Sequence, residues 1–305
     1  MKTAKQIIFD AYKITLSHRD RLFAFGFVPS FFSLLVSGFY LFYQIQSFRY
    51  SPFFGGKRGD FLFDFLKKMA EILTQNSLFL FGGIFLIFLI FLGWFFAPML
   101  CRAAIANAVF DLKKNRAIQK PLAKSFFQFF PLFKIAVLKR GLEPTAFFTE
   151  WSFAARHLGG AATAILSPLL IFFGILAAVF LFFLSFTTQA IVLKKKDFIG
   201  AIVSSFKTVF ANFGISLKLL LMFLLIEIRV LINALLVLSI PAILIAATGF
   251  FAFLFTDAIG IFLAGIIVFL LVILAAYLTG ILFVFSEVMW TVAFFEFETE
   301  KNAKK

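Results

Sequence analysis

Five blocks of the chain are almost wholly apolar, about 22–43, 77–101, 161–193, 213–247 and 258–295, and polar residues gather between them. Each block reaches the ~18 to 20 residues that a helix needs to cross hydrocarbon. Between the blocks the pattern turns to helical amphipathicity. Phe198, Ile202, Phe206, Val209 or Phe210, and Phe213 recur at helical spacing with Lys207 and Asn212 off the stripe, which predicts an interfacial helix over 197–212. A second is expected over 3–20, where Ile7, Ile8, Ala11, Tyr12 and Ile14 oppose Lys2, Lys5, Lys13, Arg19 and Arg21. A third is expected over 60–74, where Phe61, Phe65, Leu66, Met69 and Leu73 oppose Asp64, Lys67, Lys68 and Glu71. The fold class expected is all-α, a polytopic transmembrane helix bundle with interfacial helices, in one integral membrane domain over 1–305.

Composition agrees. Of 305 residues 62% are hydrophobic, 14% are charged and 52 are phenylalanine, a balance that no soluble globular domain uses. Closed barrels, the other architecture that spans a bilayer, read as short alternating segments and not as continuous apolar runs. The net charge of +14 would point to nucleic acid in a soluble chain. Here the Lys and Arg lie in loops beside the apolar blocks, so the partners expected are the bilayer and anionic lipid headgroups, with no nucleic acid. A membrane protein partner or homo-oligomer is also open. One cysteine, Cys101, allows no intrachain disulfide, and two histidines, His18 and His157, argue against a histidine-rich metal site. The first apolar block is long and lacks a small-x-small cleavage signal, so it reads as a retained span.

Charge also orients the chain. Lys194, Lys195 and Lys196 abut an apolar block, and Arg102 to Arg156 holds ten Lys or Arg against Asp111, Glu143 and Glu150. By the positive-inside rule both stretches, and both termini, read as cytoplasmic. Five crossings cannot satisfy this, and six are favoured. The sixth is expected as a cryptic crossing within 126–155, made of the apolar pieces Phe126 to Leu138 and Ala146 to Ala155. Lys134, Lys139 and Arg140 each oppose its insertion by ~2.5 to 3.5 kcal/mol if centred in the bilayer. The rival is a break of the last apolar block near Pro241 and Asp257, giving three crossings there. A weak repeat favours the first arrangement. Ala11-Tyr12-Lys13-Ile14-Thr15, Ala123-Lys124-Ser125-Phe126-Phe127 and Ala201-Ile202-Val203-Ser204-Ser205 each lie in a basic amphipathic stretch leading into apolar sequence.

The Ala11-Tyr12-Lys13 helix followed by Leu22-Phe23-Ala24-Phe25-Gly26, and the lead from Ser205-Phe206-Lys207 to Asn212-Phe213, resemble uncharacterised bacterial multi-pass families. They are also similar to the membrane domain that accompanies some bacterial glycerophosphodiester phosphodiesterases. The resemblance implies a six-helix bundle in the bacterial cytoplasmic membrane and no catalytic residues.

Ionisable residues inside apolar blocks are costly and so become functional candidates: Lys218, Glu227, Arg229 and Glu287, with Asn233 as a polar neighbour. Glu227 and Arg229 are two apart and face different ways on a helix. An antiparallel hairpin turning near 249–257 would bring Lys218 to Glu287 and Arg229 to Tyr277. Such a pair either fixes packing or lines a water-filled path. Glu150, Arg156 and His157 form a second group, for which acid–base chemistry would need a converging substrate site. No Walker loop, zinc spacing, dinucleotide fingerprint or serine-hydrolase elbow occurs, so neither a cofactor nor enzymatic activity is expected. The function expected is a non-enzymatic accessory or structural role in the membrane. The alternative is a small transporter or channel using the last hairpin's charges.

Overall fold

The computed structural model describes residues 2–49, 67, 71, 77–157, 159–230, 232 and 257–303; they form helices and no strand. In chain order these are α1 Ala4–Ser17, α2 Arg19–Arg49, α3 Ser77–Lys113, α4 Pro121–Phe126, α5 Phe129–Gly141, α6 Pro144–His157, α7 Gly159–Phe183, α8 Thr187–Lys194, α9 Phe198–Ala211, α10 Phe213–Val230 and α11 Asp257–Ala303.

Local chemistry sets the helix ends. Thr3 and Gln6 form a reciprocal capping box at the start of α1. Pro121 and Pro144 open α4 and α6, where a missing N–H costs nothing. Lys195 takes a left-handed conformation, φ 50°, and closes α8. The Asp197 carboxylate then accepts the Gly200 N–H and starts α9.

Four helical stretches are long and apolar enough to cross a membrane: Arg19–Leu41, Phe81–Lys113, Ala161–Lys194 and Phe269–Thr299. The pair α9 and α10, bent by 95°, makes a fifth if counted as one span. This is the architecture of a multi-pass membrane protein. Two of the expected interfacial helices, over 3–20 and 197–212, occur as α1 and α9; that over 60–74 lies outside the described residues except Lys67 and Glu71. The block 258–295 lies within one unbroken helix of 47 residues, about 70 Å at ~1.5 Å per residue, which far exceeds a ~30 Å hydrocarbon core. The block 213–247 is described only to Val230 and at Ile232, and the expected break near Pro241 lies outside the described residues. A single continuous crossing within 126–155 does not form. Pro144 disfavours helix at Glu143, so the two apolar pieces become α5 and α6, of 13 and 14 residues.

The chain divides into two units. In the first, Met1–Leu34, Leu100–Phe127 and Lys207–Lys305, α1 packs along α11 and seats Ile7 and Ala11, both fully buried. Helix α3 runs parallel to α11, since Arg102 meets Glu287 and Phe110 meets Phe295 eight residues further along each. This part of α3 is rich in small residues, with Ala103, Ala104, Ala106 and Ala108 fully buried, which lets backbones approach.

In the second unit, Leu35–Met99 and Gln128–Phe206, α6 packs on α7 and α5 on α8. The partners run antiparallel: Trp151 donates to Ser167, Ala154 accepts from Thr163, and Gln128 donates to the Val192 carbonyl. The end of α2 runs parallel to α6, through Tyr40 with Thr149 and Ser152 with Gln44.

Three long helices are each divided in their surroundings. Phe81 to Leu89 of α3 is a run of exposed apolar side chains, whereas Met99 to Val109 is buried almost throughout. Ile165 to Phe180 exposes nine large apolar side chains on α7, whereas Thr187 to Val192 of α8 is wholly buried. On α11, Phe269, Leu270 and Leu274 are exposed, and Val288 to Phe294 are buried. The exposed stretches suit lipid, and the buried stretches have protein neighbours.

Helices α2 and α11 approach closely at Gly26 and Gly280. A methyl group on Gly26 would run into the Gly280 carbonyl and the Val284 side chain, and one on Gly280 would lie 3.0 Å from the Gly26 carbonyl carbon. By contrast, Gly82 has nothing within 4 Å of such a group. Gly26→Leu or Gly280→Leu should therefore each destabilise by ~1 to 3 kcal/mol or more. Thermal unfolding in detergent should register either change and leave Gly82→Leu unaffected.

Candidate functional site

The ionisable residues of the long helices gather where α3, α11 and α1 meet. Glu287 is 9% exposed, on the face of α11 turned to α3. Its carboxylate lies 3.3 Å from Arg102 Nε, and the guanidinium also lies over the Phe283 ring, 5.4 Å from the centroid. The Thr291 hydroxyl, fully buried one turn on, donates to the Glu287 carbonyl. Nearby, Lys2 donates to Asp10 at 2.9 Å and to Glu296 at 2.7 Å, and Lys113 lies 4.0 Å from Glu296. Two cations and two anions balance there. Hydrogen bonds to Glu296 and then to Asp10 push the Lys2 ammonium above its ordinary pKa.

The end of α3 carries a second polar cluster. Asp111, 5% exposed, accepts from Lys124 at 2.7 Å and from the Gln119 backbone. Asn107 donates to Ser125, whose own hydroxyl donates to the Pro121 carbonyl. These bonds pin α4 to α3. In the second unit Ser205 has the corresponding role: it accepts from the Phe186 N–H and donates to the Phe183 carbonyl, so it satisfies backbone groups at the break between α7 and α8.

The expected pairings of the last hairpin are corrected. Phe223 meets Phe285 at 6.4 Å, close to the expected register, but Lys218 does not reach Glu287. Ser216, Leu219 and Phe223 are buried at helical spacing, while Lys218 falls off that stripe and is exposed. Arg102 takes Glu287 instead. Tyr277 is likewise taken by Arg19, which donates to its hydroxyl, and not by the exposed Arg229. Glu227 is exposed, and Asn233 lies outside the described residues.

The group at Glu150, Arg156 and His157 also disperses. Arg156 donates to the Tyr43 hydroxyl near the end of α2 and to the Ser152 carbonyl. His157 packs on the Phe153 ring at 4.7 Å, and Glu150 is exposed. Among the described residues no three His, Cys, Asp or Glu converge as metal ligands.

Two participants escaped the sequence reading. Arg102 marks the end of an apolar block and reads as a boundary charge. Arg140 reads as an obstacle to insertion, yet its guanidinium lies 3.9 Å from the Trp94 ring centroid and 4.6 Å from that of Phe95, and donates to the Trp94 carbonyl. No spacing signals either contact, because the partners lie on other helices, Glu287 and Phe283 for Arg102 and Trp94 and Phe95 for Arg140.

The Arg102 side chain is 38% exposed and that of Glu287 only 12%, so the pair should respond asymmetrically. Arg102→Leu strands a buried carboxylate and should cost ~3 kcal/mol or more, whereas Glu287→Leu leaves an Arg that can reach water and should cost about 1 kcal/mol. The double change should recover most of the loss. Thermal unfolding of the four proteins in one detergent checks the order.

Comparison with known proteins returned no matching family model, no matching curated protein and no matching solved structure.

Proposed function

We propose that the chain is a six-crossing protein of the bacterial cytoplasmic membrane with a non-enzymatic accessory or structural role. One observation carries the role: the ionisable groups most embedded in the helices are spent on holding helices together. Glu287 is matched by Arg102, and Arg140 by two aromatic rings and a backbone carbonyl. A transport path needs such groups presented to water along a conduit. The likeness to the membrane domain of glycerophosphodiester phosphodiesterases accords with an accessory role.

The six crossings rest on helix directions. Lys2 bonded to Glu296 puts the two ends of the chain at one end of the first unit, which requires an even number of crossings. If α2 runs outward, α6, parallel to its last turns, runs outward too, and α7–α8 returns. Helices α5 and α6 together lie alongside α7–α8 from Gln128 opposite Val192 to Ala154 opposite Thr163, so this broken pair supplies the sixth crossing. The aromatic seat of Arg140 lowers its insertion cost. The three lysines, Lys194 to Lys196, are then cytoplasmic, while Arg156 and His157 belong to the outer side.

Two experiments test the proposal. In a Cys101→Ala background, a cysteine at Lys195 should stay protected from a membrane-impermeant thiol reagent in intact cells, and one at His157 should label. Labelling at 195 would reverse the assignment and move the extra crossing into the last apolar block. For the role, proteoliposomes should release protons or potassium no faster than empty liposomes. Flux above that level which falls on Glu227→Gln or Lys218→Ala would favour the transporter reading instead.

A further inference from the structure

Helix α1 has two apolar faces. Ala4, Ile7 and Ala11 are buried against α11. A second stripe of Phe9, Tyr12 and Leu16 is more than half exposed, at the spacing of a helix face. This stripe forms one wall of a groove of about 640 Å³, with Ile226 of α10 and Ile281 and Leu282 of α11 on the others. The volume is that of a small-molecule site, for which ~300 to 1,000 Å³ is usual. All of these residues belong to the first unit.

The polar rim is nearly all spoken for. The Gln6 side chain accepts at the Thr3 cap, the Thr15 hydroxyl donates to the Ala11 carbonyl, and Asp10 accepts from Lys2. Since Lys2 and Lys113 also balance Glu296, the network beside the groove is neutral. Lys5 is different. It lines the groove, is exposed, and makes no ion pair among the described residues. An apolar trough of this size with one uncompensated ammonium at its rim matches an amphiphile with an anionic head. The groove wall of Phe9, Tyr12 and Leu16 is itself exposed, so a chain can enter the groove from a bilayer.

We propose that this groove holds one acyl chain of an anionic phospholipid, with Lys5 on its headgroup. The lipid then acts as a wedge between the amphipathic helix and the last hairpin. The proposal rests on the membrane reading, which retention of the chain in alkali-washed membranes tests separately.

The test takes the full chain in nanodiscs of equal phosphatidylglycerol and phosphatidylcholine and ejects it for native mass spectrometry. The wild type should keep one lipid, enriched about fivefold in phosphatidylglycerol, the preference that one surface lysine confers. Lys5→Gln, an exposed change that leaves packing intact, should bring the ratio to about one while a lipid is still retained. Thr15→Trp, which fills the trough, should remove it. An unchanged ratio in Lys5→Gln, a wild type that keeps no lipid, a dimer with no lipid, or displacement by laurate but not by added phosphatidylglycerol would each overturn the proposal. Because the Lys5→Gln readout is a ratio, it does not depend on the folding of Thr15→Trp.

Discussion

The parallel contact between α3 and α11 is the constraint on which the first unit depends. Apolar side chains gain little by leaving lipid for one another, so close van der Waals packing and polar contacts must hold the helices. Alanines 103, 104, 106 and 108 let the backbones approach, and the Arg102–Glu287 pair sets the register. Shifting α11 along α3 by one turn would separate the pair by about 5 Å and leave Glu287 unmatched in a buried position. The placement of α1 follows from the same register, because the Lys2 bonds require Glu296 beside Lys113.

Arg140 illustrates the same constraint in the second unit. A cation beside apolar helices must be matched or must reach water, and here the match is made with the faces of Trp94 and Phe95 and a main-chain carbonyl. This explains how α5–α6, too charged and too broken to read as a span, can lie along the full length of α7–α8. Its partners compensate for what its own composition lacks.

Much of the architecture was legible because it is periodic. The apolar blocks gave the long helices, and the amphipathic stripes gave α1 and α9. Even the two apolar pieces of 126–155 emerged as two helices, with Pro144 as the reason for the division. The pairings were not legible. Predicting Lys218 with Glu287 took the register of the hairpin nearly correctly but ignored the face: Ser216, Leu219 and Phe223 point inward, and Lys218 is about 100° from that stripe. Nor could spacing show that a residue at the end of one block, Arg102, belongs with a residue 185 positions later. The same holds for Gly26 and Gly280, whose contact depends on where two helices cross.

The three short amphipathic helices tie these observations into a repeated design. Each has a small residue fully buried on its inward face: Ala11 in α1, Ser125 in α4, and Ala201 and Ser205 in α9. Each is also fastened to the terminal part of a long helix, α1 to α11, α4 to α3, and α9 to the junction of α7 and α8. The fastening differs in chemistry, with ion pairs for α1, an amide and an ion pair for α4, and a serine bridging main-chain groups for α9. What the three share is the arrangement and not the residues. The outward faces of these helices, as at Phe9, Phe126 and Ile199, are exposed and suit lipid. The connection from α8 to α9 is only the three residues Lys195, Lys196 and Asp197. In so short a turn, Lys195 and Lys196 are held close to the helix ends that they join.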